Sequence, residues 1–584
     1  GSSVVALVRD TNAPVSFTPP PNTPSFSPGY MEKPDFSANG TTNTLQFFFP
    51  AETGGERNTI ADEAVIYDTC VSQVYAAWNH IKNISHAEEA KNWELLWIGP
   101  RLCKRESRRF VGDYVLTQND VEAGFIFDDA IAFGGFAEDI HYPRPENEQY
   151  VKIVYFGIPP LYTIPYRSIY SKDVENLLFA SRLLSVSHIA HGTTRIQRTL
   201  ASIGQAAGLA AAFCKTLSCT PRDVYLHHLH NFRQALLRQD GTVPGLVNVD
   251  EDDLARQATV SASSEKVFAP ETADRWLALD SATGVMLWDW PETLESASFL
   301  LKNTGDMPTS VTLSASIRCF PKKWKTHTRS TKPPFPYEAR QNETEWGYDN
   351  RTCLFAPLES VSAFVPPGVH WVEFPVHLSL PAKDPCADEE RILLSISAEK
   401  SVALAVCNSF YDPARFVVAK GDGYVAEACC SVLRLSPRLP YAEAVRITDG
   451  MSRRFSYNPV HFWESTAPLP QWVCLTWDTP QEISYVQITF DSLTRTFHEM
   501  PLDSRQKASP RLVKAYTVEA FVGGTWQTLA AETENFHRFC THTFAPVMSS
   551  ALRLTISETW YDGPARVYEV RAYANASITF CKKN

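Results

Sequence analysis

The sequence predicts a multidomain protein in which an α+β region is followed by two all-β sandwich domains. At 584 residues the chain is long enough for three or four domains. Residues 1 to about 250 mix helical and strand spacing. Beyond the acidic stretch 249–257 the chain forms alternating, β-branched runs separated by Pro, Gly, Asn and Asp. We therefore place the domains at residues 1–250, 258–435 and 437–584.

Two amphipathic helices are predicted in the first region. Residues 62–83 carry apolar side chains at helical spacing, so one face of this helix should contact a core. Residues 225–238 form the second predicted helix, which Asp240-Gly241 ends.

The stretch 176–214, NLLFASRLLSVSHIAHGTTRIQRTLASIGQAAGLAAAFC, carries the most distinctive pattern of the chain. Residues 176–180 predict a short buried strand, and a helix is expected to begin near Thr193 or Thr194, either of which can cap it. Small residues then recur every four positions, which allows a backbone to approach another surface closely. The start of a helix also offers N–H donors and partial positive charge, which suit an electron-rich ring. A Gly/Ala-rich core helix of any α/β protein is the alternative.

This stretch resembles the carboxy-terminal flavin-contacting motif of the FAD-dependent oxidoreductase family, in which an Ala-Gly-Arg leads to His-Gly-Thr-Thr-Arg and then to Gly-Gln-Ala-Ala-Gly. The likeness covers about the first 250 residues and includes segments 105–121, 132–141 and 164–180. Ala180-Ser181-Arg182 departs from the family pattern at its middle position. The resemblance implies FAD as the cofactor, contacted by Arg182, Thr193, Thr194, Arg195, Gly204 and Gln205. We expect the N–H groups of Thr194 and Arg195 to face the pyrimidine edge of the flavin.

The Gly-x-Gly-x-x-Gly turn that opens a dinucleotide-binding flavoprotein does not occur in the 584 residues. The first residues instead resemble the middle of such proteins, where a strand enters the substrate domain. We therefore expect the chain to begin partway through its catalytic domain and not to retain FAD alone. The expected partner is a separate chain or a missing segment that carries the nucleotide-binding part. A truncated gene product and a remnant are the alternatives.

Four side chains are candidates for catalysis. His191 precedes the expected helix start and is a candidate proton carrier beside the flavin, with a structural histidine as the alternative. His188 is a weaker candidate for the same role. Asp139 and His141 lie two apart on a predicted strand, so they should project to one side and serve as substrate contacts or as acid and base.

A cationic segment, KRESRR at residues 104–109, precedes the predicted strand GDYVLT. If a strand continues through the segment, Arg105 and Arg109 share a face, and one of them could hold a substrate carboxylate or hydroxyl. The alternative is an internal ion-pair network with Glu106 and Asp113.

The two later domains are predicted from their strand patterns. Runs such as TSVTLSASIRCF and RILLSISAEKSVALAV are typical of an antiparallel sandwich, with residues 321–357 as a surface loop. The third domain resembles a discoidin-type (coagulation-factor type C), galactose-binding-like sandwich through Asp449-Gly450, QWVCLTW, ISYVQITFD and RVYEVRAY. Such domains often bind glycans through loop aromatics, so His461, Trp463 and Trp560 are candidate platform residues, and Trp472 is assigned to the core. A purely structural domain is the alternative.

Composition argues against several classes of partner. The net charge of −11 argues against nucleic acid and against an anionic membrane surface. No run of 18 apolar residues occurs, so no transmembrane segment is expected. The thirteen cysteines show no paired CxxC spacing, so no metal site is expected, while one or two disulfides would fit an oxidising compartment. The appended β-domains favour an extracytoplasmic location.

Two functions follow from these patterns. The first is part of an FAD-dependent oxidoreductase that oxidises a sugar, polyol or glycan-derived substrate by hydride transfer to flavin, while a histidine takes the hydroxyl proton. The second is a non-catalytic carbohydrate-binding or interaction protein with a degenerate flavin domain. Retention of the HGTTR and GQAAG motifs favours the enzyme, and the missing nucleotide fingerprint favours the binding protein.

Overall fold

A computed structural model shows a mixed α/β region followed by extensive antiparallel sheets, which confirms the predicted order of fold classes. The structure describes residues 2–25, 44–47, 52–53, 55–141, 153–155, 161–279, 283–287, 289–319, 354–380, 391–398, 401–408, 411, 414–420, 423–426, 429–453, 460–466, 468–492, 508–509 and 511–578. Most of the predicted surface loop 321–357 lies outside these residues.

The N-terminal region combines helices with small antiparallel sheets. Its helices are α1 (Glu63–His80), α2 (Gln118–Glu122), α3 (His188–Thr194), α4 (Gln197–Leu217) and α5 (Pro221–Arg238). Its strands are β1 (Ser2–Ser3), β2 (Ala6–Asp10), β3 (Thr44–Phe47), β4 (Glu52–Thr53), β5 (Trp93–Ile98), β6 (Cys103–Lys104), β7 (Ala130–Gly134), β8 (Asp139–His141), β9 (Ile153–Tyr155) and β10 (Tyr162–Pro165). The strands pair in the orders β4-β1-β6, β3-β2-β5, β10-β7 and β8-β9.

Both predicted amphipathic helices are present. α1 buries the face that carries Ile66 and Trp78. α5 begins before its predicted start, because the side chains and backbones of Thr220 and Asp223 form a reciprocal capping box. The helix ends as expected before Asp240, whose φ of 60° is left-handed.

The long helix α4 lies in the core of the N-terminal region. It buries Ile203, Ala207 and Phe213, and the ring of Phe213 meets that of Phe232 edge-on at 5.4 Å between centroids. Among the described residues, α4 is the one helix that is long and apolar enough to cross a membrane. Core helices of soluble proteins meet the same criterion, so the finding is weak evidence for a membrane span.

The middle region is a two-sheet sandwich, preceded by β11 (Thr259–Ala262). Its strands are β12 (Arg275–Ala278), β13 (Thr283–Leu287), β14 (Thr293–Asn303), β15 (Thr309–Cys319), β16 (Leu354–Val365), β17 (Gly368–Ser379), β18 (Ile392–Ala398), β19 (Val402–Cys407), β20 (Ala414–Lys420), β21 (Gly423–Ala426), β22 (Cys430–Ser431) and β23 (Leu433–Ser436). One sheet has the order β12-β19-β14-β17, with β22 on β19 and β23 on β14, and the other has the order β16-β15-β18-β13-β20-β21. Their facing apolar side chains form one core, as in other antiparallel sandwiches.

The C-terminal region is a seven-stranded antiparallel sheet of long, irregular strands. They are β24 (Trp463–Glu464), β25 (Gln471–Phe490), β26 (Val513–Val522), β27 (Thr525–Glu532), β28 (Phe539–Thr559) and β29 (Arg566–Tyr573), in the order β24-β29-β25-β28-β26-β27. The seventh strand is β11, which pairs with β25. The segment at 259–262, which the predicted middle domain 258–435 included, is therefore hydrogen-bonded in the C-terminal sheet.

The acidic stretch 249–257 belongs to the folded structure. Asp253 is buried and accepts hydrogen bonds from the N–H groups of Ala255 and Ala572 (both 3.1 Å) and from the side chain of Asn248 (2.8 Å). Burial raises the pKa of Asp253 to about 7. The stretch therefore docks the end of the N-terminal region onto the C-terminal sheet.

The last residue of α5 strengthens this contact. Arg238 is 3% exposed, and its guanidinium lies 3.7 Å from the centroid of the Tyr573 ring and donates to the carbonyl of Asn575 (3.0 Å). The Arg238 carbonyl accepts a hydrogen bond from the side chain of Gln487 (2.9 Å). The N-terminal region thus packs directly on the C-terminal sheet.

Candidate functional site

The stretch that carries the flavin-like motif forms two helices instead of the single helix expected. Thr193 and Thr194 lie in the last turn of α3, and the N–H of Arg195 donates to the carbonyl of His191 (3.1 Å). Ile196 is extended and directly precedes α4. The expectation that Thr193 or Thr194 caps the long helix is therefore wrong, because the extended residue that precedes α4 lies two to three positions later.

The helix break changes which donors are available to an anionic ring. The N–H of Arg195 is occupied by the His191 carbonyl, so it does not serve as the free donor we expected. Ile196 has no side-chain acceptor, and the first-turn N–H groups at 197–199 therefore receive no side-chain cap. The partial positive charge of the longer helix is centred on this first turn.

His191 lies inside the protein at the junction of the motif, with 2% of its surface exposed. Burial lowers the pKa of His191 to about 4. The charge of Glu106 partly offsets this shift, while Arg195 and Arg109 lower the pKa further. A hydrogen bond with the Arg182 backbone also holds the ring. At pH 7 the imidazole is therefore neutral, with one nitrogen donating to the carbonyl of Arg182 and the other able to accept a proton.

An ion-pair network lies beside His191. Glu106 lies 2.7 Å from Arg109 Nε through one carboxylate oxygen and 2.6 Å from His188 Nδ1 through the other. Burial raises the pKa of Glu106, but the hydrogen bond from His188 and the nearby positive charges bring it below its ordinary value. Asp113, the second acid of the expected network, pairs instead with Arg222 (2.6 Å).

The cationic segment 104–109 is irregular, because β6 ends at Lys104. No strand therefore places Arg105 and Arg109 on one face, and that expectation is wrong. The following GDYVLT forms only an isolated bridge, at Leu116. Arg182 also contacts this segment, because its guanidinium donates a hydrogen bond to the carbonyl of Lys104.

Asp139 lies on β8, as predicted, and pairs with a residue of the flavin-like motif. Its Oδ2 lies 2.9 Å from Nη2 of Arg195, which also donates to the Asp139 carbonyl (3.2 Å). Gly192 permits this close packing, since a Cβ there would lie 2.7 Å from Cδ1 of Ile140. The backbone of His141 continues the strand, but its side chain lies outside the described part of the structure.

The structure adds one acid that the sequence pattern did not single out. Glu138 is 2% exposed, and its Oε1 has no hydrogen-bond partner among the described residues. Burial first, and then the charge of Glu122, raises the pKa of Glu138 to about 7. Glu138 precedes β8, so strand alternation does not apply to it and the sequence pattern carried no signal for its burial.

A chain of hydrogen bonds links α3 to the turn beside Glu138. The hydroxyl of Tyr162 lies 2.9 Å from Oγ1 of Thr193, which donates to the carbonyl of Phe136 (2.6 Å). Burial raises the pKa of Tyr162, the hydrogen bond with Thr193 lowers it, and the charge of Glu138 raises it. Glu138, Tyr162 and Thr193 therefore share one buried polar neighbourhood.

The outer face of α4 is open. A Cβ at Gly204 would lie 3.7 Å from the Ala180 carbonyl, and one at Gly208 would meet no described atom within 4 Å. Ala212 on the same face is exposed. Gln205, a predicted cofactor contact, uses its side-chain amide to donate to the carbonyl of Gln239 (2.7 Å).

A groove with a volume of about 780 Å³ lies between the carboxy-terminal part of α4, at Ala211, Cys214 and Lys215, and segment 173–178. The buried strand expected at 176–180 is not formed: Leu178 makes an isolated bridge with Tyr170, and Phe179 is the buried residue of the segment. Segment 176–180 lines the wall of the groove. Among the described residues no extended strand lies beside it, so its backbone cannot pair into a sheet.

Two of the predicted glycan platform residues are buried. His461 lies inside the protein with Nδ1 2.7 Å from Oδ2 of Asp449. Trp463 is fully buried and donates from its indole to the carbonyl of Ser264 (2.8 Å). A surface role for these two rings is therefore wrong, because Trp463 packs in the core of the C-terminal region and His461 is buried beside Asp449.

Trp560 has a different environment. It is half-buried, and its ring lies 4.6 Å from that of Phe536 at an interplanar angle of 38°. Phe536 is 50% exposed, and Tyr561 beside it is also exposed. Trp472, assigned to the core from its sequence position, is only half-buried, whereas Trp477, five residues later, is a core residue.

No group of three His, Cys, Asp or Glu side chains that could hold a metal ion occurs in the part of the chain that the structure describes. The polar residues of the candidate site form pairs and a hydrogen-bonded chain instead.

Residues 17–236 match the family model described as FAD dependent oxidoreductase. The matched range contains α3, α4 and the buried polar residues around them, and it confirms the resemblance expected for the first 250 residues. No curated protein sequence matches the chain.

Solved structures similar to the C-terminal part of the chain include carbohydrate-binding modules. A chitosan-binding module of a chitosanase/glucanase from Paenibacillus sp. IK-5 is 18% identical over 23% of this chain and 85% of its own, with a TM-score of 0.18. A family 32 module of EndoD from Streptococcus pneumoniae is 13% identical over 23% and 86%, with a TM-score of 0.19. The family 32 module of NanJ from C. perfringens, solved with galactose, is 18% identical over 22% and 82%, with a TM-score of 0.17. At such scores these likenesses assign no ligand to this chain.

Proposed function

We propose that this chain, whose residues 17–236 match the FAD dependent oxidoreductase family, supplies the flavin-ring and substrate part of an enzyme that oxidises a sugar, polyol or glycan-derived substrate. The family match carries the proposal. The substrate class is inferred from the two appended β-domains, the second of which resembles a galactose-binding-like sandwich in its sequence motifs.

The start of α4 offers groups that suit a flavin ring. Its first-turn N–H donors have no side-chain cap, and the buried hydroxyl of Thr194 has no hydrogen-bond partner among the described residues. Gly204 and Gly208 leave the outer face of the helix flat. Such donors stabilise a ring edge that gains negative charge on reduction. When bound, the flavin would take the hydride from a substrate C–H bond.

His191 is the proposed acceptor of the substrate hydroxyl proton. Its neutral ring is oriented by the carbonyl of Arg182, which leaves the second nitrogen as a base. The Asp139–Arg195 ion pair holds β8 against the end of α3 and so fixes the position of this ring. Arg105 and Arg109 remain proposed substrate contacts, and Glu138 is a second proposed proton acceptor.

The adenosine end of FAD needs a cradle that this sequence lacks. A Gly-x-Gly-x-x-Gly turn places a pyrophosphate against a helix start, and no such fingerprint occurs in the 584 residues. We propose that a polypeptide segment outside these residues supplies it, and that it packs on the open face of α4.

We expect the 584-residue chain to purify colourless. The ring contacts alone leave the adenosine diphosphate portion of FAD unbound, so most of the binding energy is lost. The measurement is the visible absorbance of the purified chain, before and after addition of a partner chain that carries the nucleotide fingerprint. Restored stoichiometric FAD supports the proposal. A yellow chain with stoichiometric FAD would contradict the need for a partner, and failure of every fingerprint-bearing partner would favour a non-catalytic protein.

A second candidate function is carbohydrate binding by the C-terminal region, favoured by the aromatic surface of Phe536, Trp560 and Tyr561. Lys514 lies 5.7 Å from the Trp560 ring and is paired with Glu558 (2.6 Å), so polar groups border the rings. Exposed aromatic faces of this kind pack against the apolar face of a ligand.

We expect the full chain to bind glycans on an array and the Phe536→Ala variant to bind at least about tenfold more weakly, which is the effect of losing about 1.4 kcal/mol of contact. Trp526→Ala is the matched control, because Trp526 is an exposed ring on β27, outside the proposed surface, and packs under Arg553. Equal loss in both variants, or no glycan bound by the full chain, would remove this surface as the binding site.

A further inference from the structure

Two cysteines meet where α4 ends and α5 begins. Ser218 is left-handed with φ of 54°, and the N–H groups of Ser218 and Cys219 both point to the carbonyl of Cys214, at 3.1 Å for Cys219. This is the hydrogen bond from the second residue past the helix to the third residue before its end that defines a Schellman motif. A contact between the side chains of those two positions frequently accompanies the motif. Here they are Cys214 and Cys219.

The two thiols are close enough to hydrogen-bond to each other. That bond raises the pKa of Cys214, as burial does more strongly, and it lowers the pKa of Cys219, which burial and Asp223 raise. The contact therefore favours loss of the proton from Cys219 over loss from Cys214. A disulfide spans Cα atoms about 4.4–6.8 Å apart, and the backbone hydrogen bond from Cys219 to Cys214 brings these two positions together.

Both thiols are accessible from solvent. They line the groove of about 780 Å³ beside segment 173–178, and both side chains are only half-buried. Most other described cysteines are buried: Cys70, Cys407, Cys429, Cys430, Cys474 and Cys540. Cys103 is also exposed, but it lies on strand β6 and not at a helix end that would hold a second cysteine beside it. The Cys214–Cys219 pair is thus both preorganised and reachable.

We propose that Cys214 and Cys219 form a thiol–disulfide couple that exchanges with low-molecular-weight disulfides of the glutathione class. The Cys219 thiolate attacks one sulfur of glutathione disulfide, and one glutathione thiolate leaves, which forms a mixed disulfide. The Cys214 thiolate then attacks the Cys219 sulfur, and the second glutathione leaves. Overall, two thiols become one disulfide and one glutathione disulfide becomes two glutathione thiols. The couple does not depend on flavin binding.

The disulfide would close the junction between α4 and α5 on the wall of the groove. The native structure already holds the thiols together, so oxidation needs little backbone movement. Cleavage after Lys215 separates the two cysteines, since trypsin places them in peptides 199–215 and 216–222. A native cross-link therefore has an unambiguous product.

The test treats the reduced full chain with mixtures of reduced and oxidised glutathione at pH 8, followed by acid quench, trypsin digestion and mass spectrometry. We expect peptides 199–215 and 216–222 to be joined by a disulfide. The second readout is the ratio of the squared concentration of reduced glutathione to the concentration of glutathione disulfide at which half of the cysteine pair is oxidised. We expect this ratio to be about tenfold or more higher in buffer than in concentrated urea, because the folded helix end raises the effective concentration of one thiol near the other.

Single variants separate the two steps. The Cys214→Ser variant is expected to retain glutathione on Cys219 as a stable mixed disulfide. The exposed Cys103 serves as an internal control for glutathione addition to an unpaired cysteine. Stable glutathione on Cys219 of the wild-type chain would overturn the proposal. So would equal half-oxidation ratios in buffer and urea. Both readouts on the wild-type chain remain decisive if a variant does not fold.

Discussion

Replacing His191 by alanine is expected to slow substrate-dependent flavin reduction by about 10²–10⁴-fold while leaving flavin bound. His191 is buried at the junction of α3 and α4, its pKa is lowered to about 4, and it is neutral at pH 7. Its removal deletes the base but none of the first-turn donors of α4. The measurement is anaerobic stopped-flow absorbance of the flavin in the assembled enzyme, with bound flavin quantified in parallel.

His188→Ala is the matched control, since His188 lies one turn earlier on the same helix and its side chain is 56% exposed. We expect its effect on flavin reduction to be below about tenfold, because solvent replaces its contact with Glu106. Unchanged reduction in His191→Ala would disprove the catalytic role. Loss of bound flavin in that variant would assign His191 to structure instead.

Glu138→Gln is expected to change both the pH dependence of flavin reduction and the stability of the protein. Burial raises the pKa of Glu138 from 4.5 to about 7, so the folded state holds this proton more tightly than the unfolded chain. The stabilisation is complete below pH 4.5 and is lost as the pH rises through about 7. Glutamine resembles the neutral carboxylic acid at every pH, so the substitution should change the stability of the protein most above pH 7.

The expected gain in the free energy of unfolding for Glu138→Gln is close to zero at pH 4.5 and up to about 3 kcal/mol at pH 8.5, since one pKa unit corresponds to about 1.4 kcal/mol. Urea unfolding at both pH values measures it. If Glu138 also accepts the substrate proton, the limb of the flavin-reduction profile near pH 7 disappears in the variant.

Glu122→Gln provides the control for this prediction. It removes the charge that helps to raise the pKa of Glu138 and leaves the buried acid in place, so the transition near pH 7 should move to lower pH and persist. If the Glu138→Gln variant is no more stable than the parent at pH 8.5, the pKa of the Glu138 carboxyl is not raised by burial and the prediction is wrong.

Local sequence signals anticipated the parts of the fold whose formation depends on nearby residues. The helices at 62–83 and 225–238 have apolar spacing that specifies their buried faces, and α1 and α5 form there. The alternating runs after residue 258 form antiparallel strands for the same reason. The strand predicted at 176–180 does not form, because a strand must pair with a neighbouring strand and the spacing of apolar residues does not show whether such a neighbour exists.

The candidate site was harder to anticipate, because its pairs join residues far apart in the chain. The pairing of Asp139 with Arg195, and of Glu106 with His188, follows from how β8 and segment 104–109 pack on α3. The Glu106–Arg109 pair is local, and an ion-pair network with Glu106 was one of the alternatives that the sequence offered. Glu138 became a candidate only when its burial was known. Trp463 likewise was expected at the surface, and only the structure shows that it packs in the core of the C-terminal region.

By itself the sequence determined the order of fold classes, the resemblance of the first 250 residues to FAD-dependent oxidoreductases and the lack of a nucleotide fingerprint in the 584 residues. These are properties of residue type and spacing, which the chain carries before it folds. Only the tertiary structure decided where the long helix begins, which acid is buried and which thiols meet. Those properties depend on burial and on contacts between distant segments, and the chain acquires them only when its elements pack together.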